Sequence, residues 1–476
     1  MSILRLTKNF SYVFLAKLIT SILATGAMIF LIRYLGPNDF GIYSYVVTIM
    51  GLMGIFADCG IGLYLVGRIS SNKMTVNKFF SAHFFLQIFI SILFLAALFI
   101  FAIFQQQIIV RNLILITSIG LFFSNLHIPF ATVLKGMEDM KYFVILSIFS
   151  GFTTILIIAL GIFFKFNLIY FSLLAVMPGI FSFLIACYFA KKYISLQKFD
   201  FQQIKNIFFQ GLPYGLMVAV GFLYNRIDII MLKNMTSDND VGFYSAAYKL
   251  IFAFNMIPTA LSAALYPMLS NYSSNASHKI EFILVKLSKY LFILTIIVAF
   301  YVYNYSYQIV NLLFGHSFIL SSIALQLLII SFIPNCARIP VSNYFLAERH
   351  IKKLSLVFLA GAILNVILNY FLIHSFSFYG AAAATVFCEC VMVIIYYAMI
   401  SREFPKFILK TSLFHIFFIT FLILALIYFT NYSFITPFFV VFFIIGLFLF
   451  KVVTKQEIAI FFSTFQYFLR KIKKNG

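Results

Sequence analysis

The run Ile32-Arg33-Tyr34-Leu35-Gly36-Pro37-Asn38-Asp39-Phe40-Gly41-Ile42-Tyr43-Ser44 ends one apolar stretch, 10–33, and opens another, 40–67. Glycine, proline, asparagine and aspartate form turns, each for its own backbone reason. The stretches on either side are as long as the ~20 residues a helix needs to cross ~30 Å of hydrocarbon. Lipid offers no hydrogen-bond partner, so such stretches must close their backbone bonds internally, as helices. The quoted run therefore reads as the turn of a membrane-spanning helical hairpin.

Outward from this hairpin the alternation continues. Further apolar spans read at 81–104, 112–134, 143–164, 168–190, 207–232, 242–270, 289–313, 318–346, 354–374, 378–400, 411–429 and 434–453. With 63% of 476 residues hydrophobic and 10% charged, and a mean hydropathy of +1.05, the chain reads as an all-α polytopic membrane protein with 14 transmembrane helices.

The bases assign the two sides. Of 34 lysines and arginines, 26 fall in alternate connections and at the two ends, from Arg5 and Lys8 to Lys473 and Lys474. Only Arg33, Arg111, Lys165 and Lys233 fall in the intervening turns, while Lys17, Arg226, Lys249 and Arg338 lie inside spans. Positive charge concentrates on the cytoplasmic side, so both termini are expected there. The net charge of +21 thus faces anionic lipid rather than nucleic acid. Met1 to Leu35 is too long an apolar run for a signal peptide and reads as the first span.

Cys59, Cys187, Cys336, Cys388 and Cys390 are odd in number and scattered, which is no disulfide framework. Cys388-Glu389-Cys390 resembles a metal clip, but residues two apart on a helix point to opposite sides. Small packing residues are the expectation, with no cofactor. His83, His127, His374 and His415 read as packing or interfacial residues. No connection is long enough for an extramembrane catalytic domain, so the reading is a transporter and not an enzyme.

An internal repeat organises the spans. Leu232-Lys233-Asn234-Met235-Thr236-Ser237-Asp238-Asn239-Asp240-Val241-Gly242-Phe243-Tyr244-Ser245 matches the opening run 201 residues later: base, polar turn, acid, apolar, Gly, apolar, Tyr, Ser. Ile128-Pro129 before the turn 135–141 matches Ile339-Pro340 before 347–353, an offset of 211. Two six-helix lobes are expected, 1–200 and 201–405, followed by two further helices at 406–454. Each lobe has an even number of spans, so both insert the same way up, an arrangement found in transporters that rock about a central site. The end, 455–476, reads as an amphipathic basic helix on the inner surface.

These residues also resemble a family. Arg33 to Ser44 is similar to the N-terminal hallmark of bacterial polysaccharide flippases, the O-antigen and capsule-unit exporters of the multidrug/oligosaccharidyl-lipid/polysaccharide exporter superfamily. Val241-Gly242-Phe243-Tyr244-Ser245-Ala246-Ala247-Tyr248-Lys249-Leu250 resembles the matching motif of the second half, and Lys135 to Met140 the loop between spans four and five. The resemblance implies transfer of an undecaprenyl-pyrophosphate-linked oligosaccharide repeat unit across the bacterial inner membrane by alternating access. It implies membrane lipids, a polysaccharide polymerase and chain-length machinery as partners. A drug/cation antiporter or a lipid II flippase of the same superfamily is the alternative.

Ions inside spans mark candidate sites, because each costs at least ~2.5–3.5 kcal/mol at mid-membrane. The cations Lys17, Arg226, Lys249 and Arg338 are candidate substrate-binding residues of a central cavity, arginine's fork suiting phosphate oxygens. Asp58, Asp228 and Glu389 are candidates for ion coupling or charge balance. Gly211, Pro213, Gly215 and Gly221 open span seven and read as either a hinge or close packing.

Overall fold

The computed structural model describes residues 3–198, 200–256, 258, 277–348, 350–405, 407, 411, 416, 418, 420, 439–450 and 452–453, the side chains of 3–19, 21, 140, 277, 278 and 351 excepted. The far part of span eight, most of span thirteen, the start of span fourteen and the tail at 455–476 lie outside the described residues. Among the described residues there are helices and turns and no strand.

The helices are α1 (Ile3–Asp58), α2 (Ile61–Ser71), α3 (Val76–Ile103), α4 (Ile108–Gly136), α5 (Met140–Phe163), α6 (Leu173–Ala190), α7 (Phe201–Met235), α8 (Asp238–Phe254), α9 (Ser277–Asn304), α10 (Ser306–Phe314), α11 (Ser321–Ala347), α12 (Ile351–Glu403) and α13 (Phe439–Leu449). Nine helical stretches among the described residues are long and apolar enough to cross a membrane.

Two helices are hairpins in continuous form. At 1.5 Å per residue, the 56 residues of α1 would run about 84 Å if straight, far more than a bilayer. The helix breaks at Gly36, with φ 73° and ψ 174°. A Cβ there would meet nothing within 4 Å. Glycine is needed for its positive φ and not for space. Pro37 follows, its φ already suited to start a helix. The 53 residues of α12 break likewise at Ser377, with φ 51°, between the arms predicted at 354–374 and 378–400.

Two differences from the sequence reading matter. Span two is not continuous: it stops at Asp58 and restarts at Ile61, with Cys59 at φ 49° and Gly60 at φ 71°. Span nine starts earlier than read. Lys279, Lys286 and Lys289, counted above as loop residues, stand on α9, whose 28 residues outreach the hydrocarbon. Lys289 is buried and donates to the Val452 carbonyl at 2.7 Å.

Packing divides the chain into two units. The first comprises 1–254, 302–329 and 352–388, and the second 255–301, 330–351 and 389–476. Within the first unit, Ile61, Leu65, Ile69, Phe80, Phe130, Val133, Leu134 and Tyr142 form a dense core. Within the second, Phe300 stacks on Phe439 with ring centroids 3.6 Å apart. Phe30, Phe152, Leu356 and Ile394 keep about two-thirds of their surface exposed (66%, 62%, 65% and 66%). Apolar exposure on that scale is tolerable in lipid and a liability in water. Since lipid is as apolar as leucine, the helices cohere through close packing and hydrogen bonds more than through hydrophobic burial.

Inside the first unit, the two copies of the repeated run touch. A Cβ on Gly41 would collide with the carbonyl of Asp238, and a Cβ on Gly242 with the carbonyl of Pro37. Gly41 and Gly242 are 201 residues apart, and so are Pro37 and Asp238. The contact is therefore reciprocal, as at the interface of a two-fold dimer. The two similar runs therefore pack directly on one another.

Candidate functional site

On α7, Arg226 and Asp228 stand two residues apart and cannot share a helix face. Each finds its own tyrosine on α8. The Arg226 guanidinium lies 4.8 Å from the centroid of the Tyr248 ring, a cation–π contact. The Asp228 carboxylate accepts a hydrogen bond from the Tyr244 hydroxyl and one from the Ile229 N–H at 2.8 Å. Tyr244 and Tyr248 are one turn apart, their rings 5.9 Å from centroid to centroid. Thr385 on α12 lies 3.3 Å from the Tyr244 hydroxyl. Asp228 and Tyr244 are buried, whereas Arg226 and Lys249 are half-buried. Arg226 attracts the Asp228 carboxylate and repels the Lys249 ammonium. The result is a cluster of two bases, one acid and two phenols in an apolar frame.

The second unit holds its own charge pair. Arg338 on α11 meets Glu389 on α12, Nη2 to Oε2 3.5 Å, and its guanidinium lies 5.5 Å from the Tyr396 ring centroid. Both ions are buried. Glu389 is thus paired with Arg338. Cys388 is buried, 3.8 Å from Asn365 Nδ2, while Cys390 is exposed. The two thiols diverge as residues two apart on a helix must.

Asp58 has a local role that the sequence reading missed. Its Oδ1 accepts the Gly62 N–H at 3.2 Å and so caps the restart of span two at α2. Lys17 lies on α1, and its side chain is outside the described residues. The seven candidates therefore fall in three places: Arg226, Asp228 and Lys249 together, Arg338 and Glu389 together, Asp58 apart.

The glycines of span seven separate cleanly. Gly211 and Gly215 carry the break in span two: a Cβ on Gly211 would lie 2.9 Å from Ile61 Cα, and one on Gly215 2.5 Å from the Cys59 carbonyl carbon. Gly221 meets nothing within 4 Å. Close packing is the role of the first two.

Polar clamps bind the helix ends. Near Gly36, Lys233 pairs with Asp238, Gln107 donates to Asp238 Oδ2 at 2.9 Å, and Lys233 donates to Gln107 Oε1 at 3.0 Å. At the other end, Lys192 donates to Asp139 at 2.8 Å and Tyr193 to the same oxygen at 3.2 Å. The Asp139 bond holds the Lys192 ammonium above the usual lysine range.

Membrane-spanning helices, an internal repeat in reciprocal contact and ions buried among tyrosines now stand together, and the family match agrees. The pattern of the polysaccharide biosynthesis protein family covers residues 6–273, more than half of the chain. The chain belongs to the polysaccharide biosynthesis protein family. A second pattern, MatE, covers residues 213–371, in keeping with the exporter superfamily that the motifs resembled. A putative O-antigen transporter of Shigella flexneri is 23% identical over 76% of this chain and 90% of its own. A probable low-salt glycan biosynthesis flippase, Agl15 of Haloferax volcanii, is 25% identical over 40% of this chain, spanning 41% of that relative. The solved structure of a lipid II flippase, MurJ in an inward closed conformation, shares the fold with a TM-score of 0.74 at 16% identity, covering 94% of this chain and 99% of that one.

Within this family member, the residues that sequence reasoning missed are Tyr244, Tyr248, Thr385 and Tyr396. Tyr244 had a signal, since it belongs to the repeated tetrad. Tyr248 lies one turn further along the same helix face. Thr385 and Tyr396 had none.

Proposed function

We propose that this family member is a flippase that moves an undecaprenyl-pyrophosphate-linked oligosaccharide repeat unit from the cytoplasmic to the outer leaflet of a bacterial inner membrane. The lobes at 1–200 and 201–405 alternate access to a central cavity between them, with both termini in the cytoplasm. The observation that carries the reading is the state of Arg226. Its neighbour Asp228 is engaged by Tyr244, while the guanidinium rests on an aromatic face. Among the described residues Arg226 forms no ion pair. A guanidinium held this way inside an apolar frame is available to phosphate oxygens. Lys249, next to Tyr248, adds a second positive charge.

Arg338, in the second unit, is held in a different state, paired with Glu389. Substrate phosphate would compete with Glu389 for it, which makes Glu389 the charge-balancing acid. Asp228 is the coupling candidate of the second lobe, because the Tyr244 hydroxyl and Thr385 can redistribute a proton or a cation's ligands around it. Lys17 completes the cation set as a reading of the sequence. A polymerase and chain-length machinery would take the product on the outer face.

The test is alanine at Arg226 and at Lys17. One charge-assisted hydrogen bond contributes about 1.5–3 kcal/mol, so surface polysaccharide should fall roughly tenfold or more while the protein still accumulates in the membrane. Wild-type polymer in both variants removes these residues from the site. The likeness to the lipid II flippase fold makes that substrate the competing reading. Depleting the protein separates the two, because lipid-linked repeat units accumulate in one case and peptidoglycan precursor in the other.

A further inference from the structure

We propose that the seam between α2 and α7 carries a glycan subsite, in which Tyr64, Arg68, Gln210 and Tyr214 hold the sugar part of the lipid-linked substrate. The inference rests on the flippase reading and adds to it the residues that meet the sugar.

Glycine sets the seam. Gly211 and Gly215 let α7 press on the chain at 59–61, which brings two pairs of side chains together. Tyr64 and Arg68 stand one turn apart on α2, Gln210 and Tyr214 one turn apart on α7. The Tyr64 and Tyr214 rings lie 6.3 Å from centroid to centroid, tilted by 41°. The Tyr64 hydroxyl donates to Gln210 Oε1 and accepts from Arg68 Nε at 3.0 Å. The first bond leaves the two Gln210 Nε2 hydrogens over, and the second leaves both Arg68 Nη groups over. Among the described residues neither these donors nor the Tyr214 hydroxyl has a protein hydrogen-bond partner. Arg68 and Gln210 are exposed and both tyrosines half-buried. A Cβ on Gly67, next to Arg68, would meet nothing within 4 Å.

The free atoms are nearly all N–H donors, and two aromatic rings form the wall beside them. Aromatic surface with a few convergent polar groups is the usual make-up of a small-ligand site. A sugar matches this one, with C–H groups for a ring face and many acceptor oxygens for the donors.

The same side of α7 continues away from the cluster. At 100° per residue, Gln210, Tyr214, Gly221 and Asn225 fall within about 60° of arc. Asn225 is exposed and donates to the Gly221 carbonyl at 2.6 Å. Open space surrounds Gly221. The apolar side chains that α7 exposes, Phe209 at 59% and Leu216 at 54%, lie roughly 140° round the helix. Lipid therefore meets one side of α7, and the polar side belongs to a water-filled space. Tyr214 precedes Arg226 by 12 residues, about 18 Å of helix. No single head group touches both, but a chain of sugars ending in a pyrophosphate can. Arg68 is among the bases placed on the cytoplasmic side, so the sugar end lies toward the compartment from which it enters.

The chain has no tryptophan, so Tyr214→Trp puts a single fluorophore into the cluster of the full-length protein in detergent. Two probes are titrated: oligosaccharide released from the surface polysaccharide of the producing cell, and undecaprenyl pyrophosphate without sugar. The oligosaccharide should shift the emission saturably. Arg68→Gln or Gln210→Leu in the same background should weaken its binding about tenfold. Gly67→Leu, which enters open space, should weaken it as well without lowering the unfolding temperature. Lys205→Gln, an exposed base on the first turn of α7, should leave it unchanged. Calorimetry on the unmodified chain should give the same Kd, and it decides the matter should Tyr214→Trp not fold. Failure of the oligosaccharide to bind overturns the proposal. So does unchanged binding in both Arg68→Gln and Gly67→Leu, or a shift with undecaprenyl pyrophosphate alone. Oligosaccharide binding together with wild-type polymer in Arg226→Ala and Lys17→Ala would sink the phosphate site of the flippase reading and leave the glycan subsite standing.

Discussion

The first unit contains two glycine crossings between the halves of the chain, and they are built on opposite plans. At the turn end, Gly41 and Gly242 meet as equivalents, each against a carbonyl of the other copy. Away from that turn, Gly211 and Gly215 of α7 meet a broken segment, Cys59-Gly60, that has no helical geometry. The first contact is symmetric and joins two helices at their starts. The second is asymmetric and joins an intact helix to an unwound one. The turn end is reinforced by ions, Lys233 with Asp238 and Gln107. The second crossing is flanked by a neutral pair, Tyr64 donating to Gln210, with the Arg68 guanidinium donating to Tyr64 at 3.0 Å. Duplication explains a reciprocal contact directly. A contact between a broken partner and an intact one is not explained by duplication alone.

The comparison is most severely tested at the symmetric crossing. Leucine at Gly41 or at Gly242 must push backbone from backbone, which no rotamer relieves. Each should cost about 3 kcal/mol or more, with loss of membrane-inserted protein and of export. The two losses should match in size by thermal unfolding of the detergent-solubilised protein. A tolerated substitution at one site and not the other would mean that the pseudo-symmetry is only apparent.

Gly215→Ala comes next. Its methyl meets the Cys59–Gly60 peptide, a segment already free of helical bonds and so better able to shift. A cost of about 1–3 kcal/mol is expected, read as a lower unfolding temperature. Gly221→Ala, six residues along the same helix with open space around it, should stabilise by up to about 1 kcal/mol, since alanine is the better helix former. Opposite signs at the two positions would confirm that packing, not flexibility, holds glycine at 215.

The smallest effect belongs to the ionic clamp. Asp238→Asn removes its pairing with Lys233 at a site where both side chains keep about a tenth of their surface. A cost of about 0.2–1 kcal/mol, falling further in high salt, is expected. The swap of Lys233→Asp with Asp238→Lys should recover most of it. A swap that recovers nothing would show that Gln107, not charge, sets the contact.

Much of this was legible in the sequence, and for definite reasons. The turn at Gly36-Pro37 announces itself because glycine adopts positive φ without strain and proline fixes its φ. Ser377 makes the same turn in α12 without such a signal, yet the length of apolar chain around it required a turn. That Arg226 and Asp228 would not pair also followed from helix geometry. Their actual partners did not, since Tyr248 and Tyr244 are chosen by how α7 lies on α8. Asp58 was legible as an ion in a membrane span and illegible as a cap. The break that gives it that role occurs at a cysteine and a lone glycine, and depends on α7 pressing two glycines against them.

The sequence by itself determined that the chain lives in a membrane, where its first hairpin turns, and that a similar turn recurs 201 residues later, because burying backbone in lipid leaves helices as the answer and glycine with proline marks a turn. Only the tertiary structure decided which glycines touch, where span two unwinds and which tyrosine each buried ion chose. Those outcomes depend on distances of a few ångströms between segments remote in the chain, and no local pattern of residues encodes them.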